Sequence, residues 1–260
     1  MAGNRTPGKR GRRSPSHEPS LRLTNFAPPA SAPPPAGDVT NGITDWGMLG
    51  NDAHSDCGAA AFEHGRMAKS GTNVLNDHGK ELAADSTAAT NYTLETYYAY
   101  GRAVGEPGQQ PDEGVQNSTW LKFLFDQGLI EGYAELDVTK PDEVHMAMLN
   151  FHGVLLGCDL TADAENEFKE HKPWTITGAE QPNPQSGHDI YLVKYDTEAG
   201  SETIITWGAL QDCTLAWETG EVQAGGLEAW VFITAEDAQR NGVNLPELQA
   251  AIHSLGGTTT

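Results

Sequence analysis

The chain has 260 residues, 38% of them hydrophobic, and a formal charge of −20 at neutral pH. That length supports one substantial core and leaves little room for a second independent domain. No window approaches 18 consecutive apolar residues, which argues against a membrane span. The basic N-terminus has no apolar stretch behind it, which argues against a secretory signal.

Residues 1–44 read as a basic, Pro-rich arm, extended or disordered, ahead of one folded domain over 45–260. Within residues 1–22, six arginines and lysines face Glu18, a net of +5 that leaves −25 for the rest of the chain. So acidic a body repels nucleic acid, and only the arm has the charge to attract it. The run from Pro28 to Pro35 favours polyproline II and cannot bury enough apolar area to offset its own ordering.

Helices are expected at Gly58–Ala68, where small residues suit close packing, at Thr90–Val104 and at Ser118–Gln127. Tyr92, Tyr97, Tyr98 and Tyr100 of the second helix suit core and rim. Residues 69–89 are polar and read as loop. Residues 128–136 alternate weakly and suit a short strand. Pro141–Asn150 opens with proline and acids, which fit a first helical turn. Gly153–Cys158 reads as a buried strand with Cys158 in the core, and Thr161–Lys169 as a short acidic helix. A polar turn over Gly178–Gly187 leads into strands at 188–196 and 203–208. Residues 210–217 suit a helix, 227–233 a last strand, and the tail beyond the stretch Val243–Leu248 a further helix. Helices first and strands clustered later describe an α+β layout.

The chemistry concentrates around Cys57. The stretch Trp46-Gly47-Met48-Leu49-Gly50-Asn51-Asp52-Ala53-His54-Ser55-Asp56-Cys57-Gly58 passes from a glycine-rich loop into the first turn of a helix. A thiol there meets unsatisfied N–H groups and the positive end of the helix dipole, which favour the nucleophilic thiolate. Asn51, six residues upstream, carries a carboxamide able to donate to an oxyanion. A buried structural cysteine is the competing reading. A second stretch, Ser186-Gly187-His188-Asp189-Ile190-Tyr191, opens a strand with Gly-His. His188 lies 131 residues after Cys57, within the spacing of a papain-type Cys-then-His order.

From about Asp45 to Thr234, these stretches and the strand ending in Trp207-Gly208 resemble the papain-like cysteine peptidases, and most of all the divergent papain-like proteins of actinobacteriophages. The resemblance implies an α+β papain-like fold: a helical N-terminal half carrying the nucleophile helix, an antiparallel sheet in the C-terminal half, and the arm in front. It implies that Cys57 attacks, that His188 holds it ionised and later protonates the leaving group, and that Asn51 and the Cys57 N–H hold the oxyanion. The third position, which orients the imidazole and is Asn or Asp in relatives, falls on Thr206, an acceptor without charge. Asp56 is expected to raise the thiol pKa unless it points away.

Other sites are weaker. Asp52, His54 and Asp56 suit a hydrated loop better than a metal site, and the remaining histidines lack ligand spacing. Glu218, Glu221 and Glu228 read as a solvated acidic face. No phosphate-binding loop follows a strand, so no cofactor and no metal is expected. The three cysteines, Cys57, Cys158 and Cys213, suit neither a disulfide framework nor a zinc site and fit a reducing cytoplasm. Two readings stay open. One is a thiol hydrolase acting on a protein or peptide substrate. The other is a virion structural or decoration protein on a papain-like scaffold, bound to phage structural proteins through residues 1–44. The phage resemblance places either one in the cytoplasm of the host bacterium during synthesis, or in the virion.

Overall fold

The computed structural model describes residues 5–15, 17–28, 31–176 and 181–255. Pro29 and Ala30 of the proline-rich run, and Gly178, Ala179 and Glu180 of the expected polar turn, lie outside the described residues.

Two 3-10 turns, Pro19–Leu21 and Leu23–Asn25, bury Leu21 and Leu23, and a short strand β1 (Ala36–Asp38) follows. The nucleophile loop then runs into α1 (Cys57–Ser70). A small hairpin, β2 (Val74–Leu75) with β3 (Glu81–Leu82), interrupts the region expected to be loop throughout. Next come α2 (Thr87–Ala103), α3 (Asn117–Asp126), β4 (Gly132–Glu135), α4 (Pro141–Phe151), β5 (Val154–Asp159) and α5 (Ala164–Lys169). The C-terminal part supplies β6 (Gly187–Asp196), β7 (Ser201–Thr206), β8 (Ala209–Thr214), α6 (Leu215–Ala224), β9 (Glu228–Ile233), α7 (Ala235–Asn241) and α8 (Leu245–Leu255).

The main sheet has the order β4-β9-β5-β6-β7-β8, with every neighbouring pair antiparallel. β1 pairs with β6 at Lys194–Asp196, beyond the point where β5 ends at Leu192. The expected α+β division therefore holds, with helices dominating the first half and the antiparallel sheet the second. The helix expected at 210–217 is instead a strand followed by a helix. Trp207 and Gly208 both take positive φ (+46° and +71°) and form a two-residue turn, so Ala209–Thr214 pairs back along β7 before α6 begins.

Helix α1 lies on β6 because small residues let it approach. A Cβ on Gly65 would stand 2.6 Å from the Tyr191 ring and 2.7 Å from the Phe232 ring. Ala59, Ala60 and Ala61 are likewise buried, and Phe62 packs edge-on against both Trp120 and Phe232. This close contact fixes the first residue of the helix against the first residues of the strand. Among the described residues, no helix is long and apolar enough to cross a membrane.

Candidate active site

The loop before α1 is held from two sides. Gly47 and Gly50 adopt positive φ (+67° and +111°), conformations that a side chain would strain. Behind them, buried His64 of α1 donates through Nε2 to the carbonyls of Trp46 (3.1 Å) and Gly47 (3.0 Å). Burial lowers its pKa to about 4, so the ring is a neutral donor that staples the loop to the helix. Cys57 is the first residue of α1 and Asp56 its N-cap, whose side chain makes no capping bond. The thiol thus sits where the first helical N–H groups lack intrahelical partners.

His188 is the second residue of β6, the strand against which α1 packs. Its Nε2 bonds the Thr206 hydroxyl oxygen at 2.8 Å, while its Nδ1 has no hydrogen-bond partner. Trp207, in the left-handed region at φ +46°, places its ring 4.9 Å from the imidazole at an interplanar angle of 35°. Strained backbone beside a reactive group is a recurring feature of functional sites. Thr206 and Trp207 together hold the ring with its Nδ1 unengaged.

Cys57 and His188 do not hydrogen-bond each other. The thiol points instead to the Asp189 carboxylate, with Sγ to Oδ2 at 3.6 Å. Adjacent residues on a strand face opposite ways, so Asp189 projects from the other side of β6 than His188. Burial raises the thiol well above its ordinary pKa, and the Asp189 charge adds to the shift. Burial also lowers His188 to about 3, with the charges of Arg10 and Arg12 contributing. In this arrangement the pair is a neutral thiol and a neutral imidazole.

Asn51 is buried, and one of the two N–H groups of its carboxamide goes to the His54 carbonyl at 3.2 Å. Asp56 lies in the interior rather than in a hydrated loop, and burial holds its carboxyl well above the ordinary range. Its charge adds to the rise in the thiol pKa, in the direction expected from the sequence, though less than that of Asp189. Asp189, not Asp56, is the main charge acting on Cys57. No cluster suited to a metal ion occurs among the described residues.

The N-terminal arm covers this site. The arm residue Arg12 donates its N–H to the Gly187 carbonyl at 3.1 Å. The Val115 N–H donates to the Gly11 carbonyl and the Arg13 N–H to the Val115 carbonyl, both at 2.7 Å, giving a parallel bridge. Val115 leads into α3 and Gly187 opens β6, so the arm joins the helical and sheet halves across the cleft. Tyr97 of α2 supports this edge by accepting the Gly114 N–H at 2.8 Å and donating to Asp112 at 3.2 Å. Lys9 donates its N–H to the Asn51 carbonyl, and a side chain on Gly11 would collide with the Ser55 backbone. Cys57 is left 1% exposed.

The arginines of the arm are engaged on the body. Arg5 donates to Gln211 Oε1 (2.9 Å) and the Leu210 carbonyl (2.6 Å), and Arg10 to Ser186 Oγ (2.8 Å) and Glu165 Oε1 (2.6 Å). Arg13 pairs with Glu106, and Arg22 with Glu135 at 3.5 Å. The Arg12 guanidinium is buried, reaching Asp159 Oδ1 and the Gly226 carbonyl at 2.8 Å each and Glu228 Oε1 at 3.4 Å. Burial works against its charge, but Glu228, Asp189 and Asp159 outweigh that and raise its pKa.

Of the residues singled out in the sequence, His188 and Thr206 are hydrogen-bonded to each other, while Cys57 faces Asp189 and Asn51 faces the His54 carbonyl; the sequence reading misjudged the acids. Glu218, Glu221 and Glu228, expected on a solvated face, are all buried. Their shared cause is position. Glu228 opens β9, and Glu218 and Glu221 lie on the inward side of α6. The available signal was a carboxylate at each end of an apolar strand run, as in Leu155-Leu156-Gly157-Cys158-Asp159 and Glu228-Ala229-Trp230. Acids placed so are paired or protonated more often than solvated.

The sequence matches no family model and no curated protein. Solved structures do match. Xylellain, a cysteine protease from Xylella fastidiosa, superposes with a TM-score of 0.60 at 14% identity, covering 90% of this chain and 99% of that one. The digestive procathepsin L 3 of Tenebrio molitor larval midgut superposes with a TM-score of 0.50 at 12% identity, covering 88% of this chain and 76% of that one. At such identities the likeness establishes the fold, which is papain-like.

Proposed function

We propose that this chain is a cysteine peptidase of the papain-like type that acts by acylation of Cys57 and is held in a latent state by residues 5–13. The observation that carries the reading is the placement of Cys57 at the first turn of α1 beside a strand whose His188 offers an unengaged Nδ1. With the arm withdrawn the thiol would have to turn from Asp189 towards His188, which would then take its proton at Nδ1, with Thr206 accepting from the opposite nitrogen and fixing the tautomer. The thiolate attacks the peptide carbonyl. The Cys57 backbone N–H and the Asn51 carboxamide, turned from the His54 carbonyl and Asp56, would donate to the oxyanion. His188 then protonates the leaving amine, and water cleaves the thioester with His188 as base.

The neutral, buried state of Cys57 and His188 is the state expected while the arm excludes water. Withdrawal of the arm rehydrates both groups, which lowers the thiol pKa and raises that of the imidazole. The virion-bound alternative, with the arm gripping phage structural proteins or nucleic acid, needs arm cations free to reach a partner. Arg5, Arg10, Arg12, Arg13 and Arg22 all contact the chain's own body, which favours the peptidase reading.

The test is turnover of a fluorescein-labelled casein by the full chain carrying Arg12→Ala, with the Cys57→Ala and His188→Ala versions alongside. Cleavage that vanishes in both supports the reading. Cleavage surviving Cys57→Ala, or its absence in a folded Arg12→Ala protein whose Cys57 is accessible to alkylation, refutes it.

A further inference from the structure

The cavity that receives Arg12 is more than a resting place for the arm. It opens beside Cys57, since Asp189, the acceptor of the thiol, is also one of the carboxylates whose charge acts on the guanidinium. Asp159 and Glu228 close its far end, and the Gly226 carbonyl accepts a third bond from Arg12. The floor is shaped for a flat, forked cation. A Cβ on Gly157 would stand 2.6 Å from Arg12 Cδ and 2.7 Å from its Nη1, so only glycine leaves room. Asn117, fully buried, donates to Asp189 at 2.8 Å and to Glu228 at 3.2 Å, while its carbonyl oxygen has no partner. Each bond that Arg12 makes in this cavity comes from a guanidinium nitrogen, a pattern that an ammonium cannot reproduce at two acceptors with the same planarity.

From this geometry we infer that the carboxylate cavity beside Cys57 is a guanidinium-selective subsite, so the peptides handled by the cleft carry an arginine. The inference rests on the peptidase reading for its substrate but not for its binding. Dry carboxylates gathered in one cavity favour a cation in it. When Arg12 leaves, the arginine of an incoming peptide replaces like with like, whereas an apolar side chain leaves the acids without that cation. The arm then occupies the cleft by presenting the group that the cavity selects.

The probe is a fluorescein-labelled peptide copying residues 5–18, compared with versions bearing citrulline or leucine in place of Arg12. Citrulline keeps the shape and removes the charge. Binding is measured by anisotropy to the full chain carrying Arg12→Ala with Cys57→Ala, so that no chemistry is required. The expected result is saturable binding of the arginine peptide, at least tenfold weaker binding of both analogues, and loss of the difference on adding Asp159→Asn with Glu228→Gln. Equal binding of the three peptides, or no binding of the arginine form, overturns the inference.

Should the Arg12→Ala chain not fold, the unaltered chain gives the same answer. Arginine peptide at about 10 mM, above the effective concentration of the tethered arm, raises amide exchange in residues 5–13 and the citrulline peptide does not; equal effects overturn the inference. Arginine-selective binding without hydrolysis when Cys57 is restored would sink the peptidase reading while supporting the subsite. Hydrolysis indifferent to arginine would do the reverse.

Discussion

Replacing Arg12 by alanine in the full chain should unmask Cys57. The docked guanidinium makes bonds of 2.8 Å to Asp159 and 2.8 Å to the Gly226 carbonyl, fully out of water. Removing one partner of a buried ion pair costs about 3–5 kcal/mol. Here the lower end applies, because burial already raises Asp189 to about 7 and Asp159 above its ordinary value, and acids that take up protons limit the loss. About 3 kcal/mol against the docked arm is roughly a hundredfold in its opening equilibrium, at about 1.4 kcal/mol per decade. Iodoacetamide reacts with Cys57 only when the arm is open, so its alkylation rate at pH 7, followed by peptide mass spectrometry, should rise by about that factor. Cys158 and Cys213, both buried in the sheet, serve as controls within the same chain. A Cys57 rate that changes less than threefold, or one that rises in step with Cys158 and Cys213, would refute the claim that Arg12 locks the arm over the thiol.

Thr206→Ala removes the hydroxyl that holds His188 Nε2 at 2.8 Å. The cost is about 1–3 kcal/mol, and kcat on any cleaved peptide should fall about tenfold or more with KM little changed; Thr206→Asn should recover part of it. Gly65→Ala drives a methyl into the rings of Tyr191 and Phe232 and should cost about 1–3 kcal/mol, seen as a lower Tm. Stability should also fall from about pH 6.5, above which the lowered pKa values of His64 and His188 no longer contribute an opposing slope, to about pH 8. Burial raises Asp189 to about 7 and Glu221 to about 8, above their values in the unfolded chain, so the native state holds the extra protons. Each such group then removes up to about 1.4 kcal/mol per pH unit between its unfolded and folded pKa. A Tm that does not drop across this range, or a slope not reduced by Glu221→Gln, would contradict the assignment.

What the sequence disclosed was local chemistry. A thiol after a glycine-rich loop, Gly-His at a strand start and Thr-Trp-Gly at a strand end each carry their meaning within a few residues. The structure brings Cys57 and His188 onto packed elements and joins His188 to Thr206. What stayed hidden depends on long-range pairing. Asp159, Asp189 and Glu228 are neighbours only because β5 lies between β6 and β9, with Gly157 opposite both Asp189 and Glu228. Their enclosure depends on Arg12, 147 residues before Asp159. Residues 210–217 went astray for a similar reason. Their pairing is set by the positive φ of Trp207, which the identity of a tryptophan does not announce.

The arm that fills the cleft is part of the same chain as the cleft. Its far end is tied down by buried Leu21 and Leu23 and by β1 paired to β6. Residues 5–13 are therefore presented at an effective concentration of about the millimolar range, as for any short tether. A free peptide of the same sequence at micromolar concentration competes at a large disadvantage. A single backbone cut among the exposed residues near Ser14 and His17 changes no contact in the cleft, yet it turns an intramolecular occupant into a ligand that dilution carries away. Latency of this kind resides in covalent connectivity as much as in affinity, and one hydrolytic event outside the cleft would end it for good.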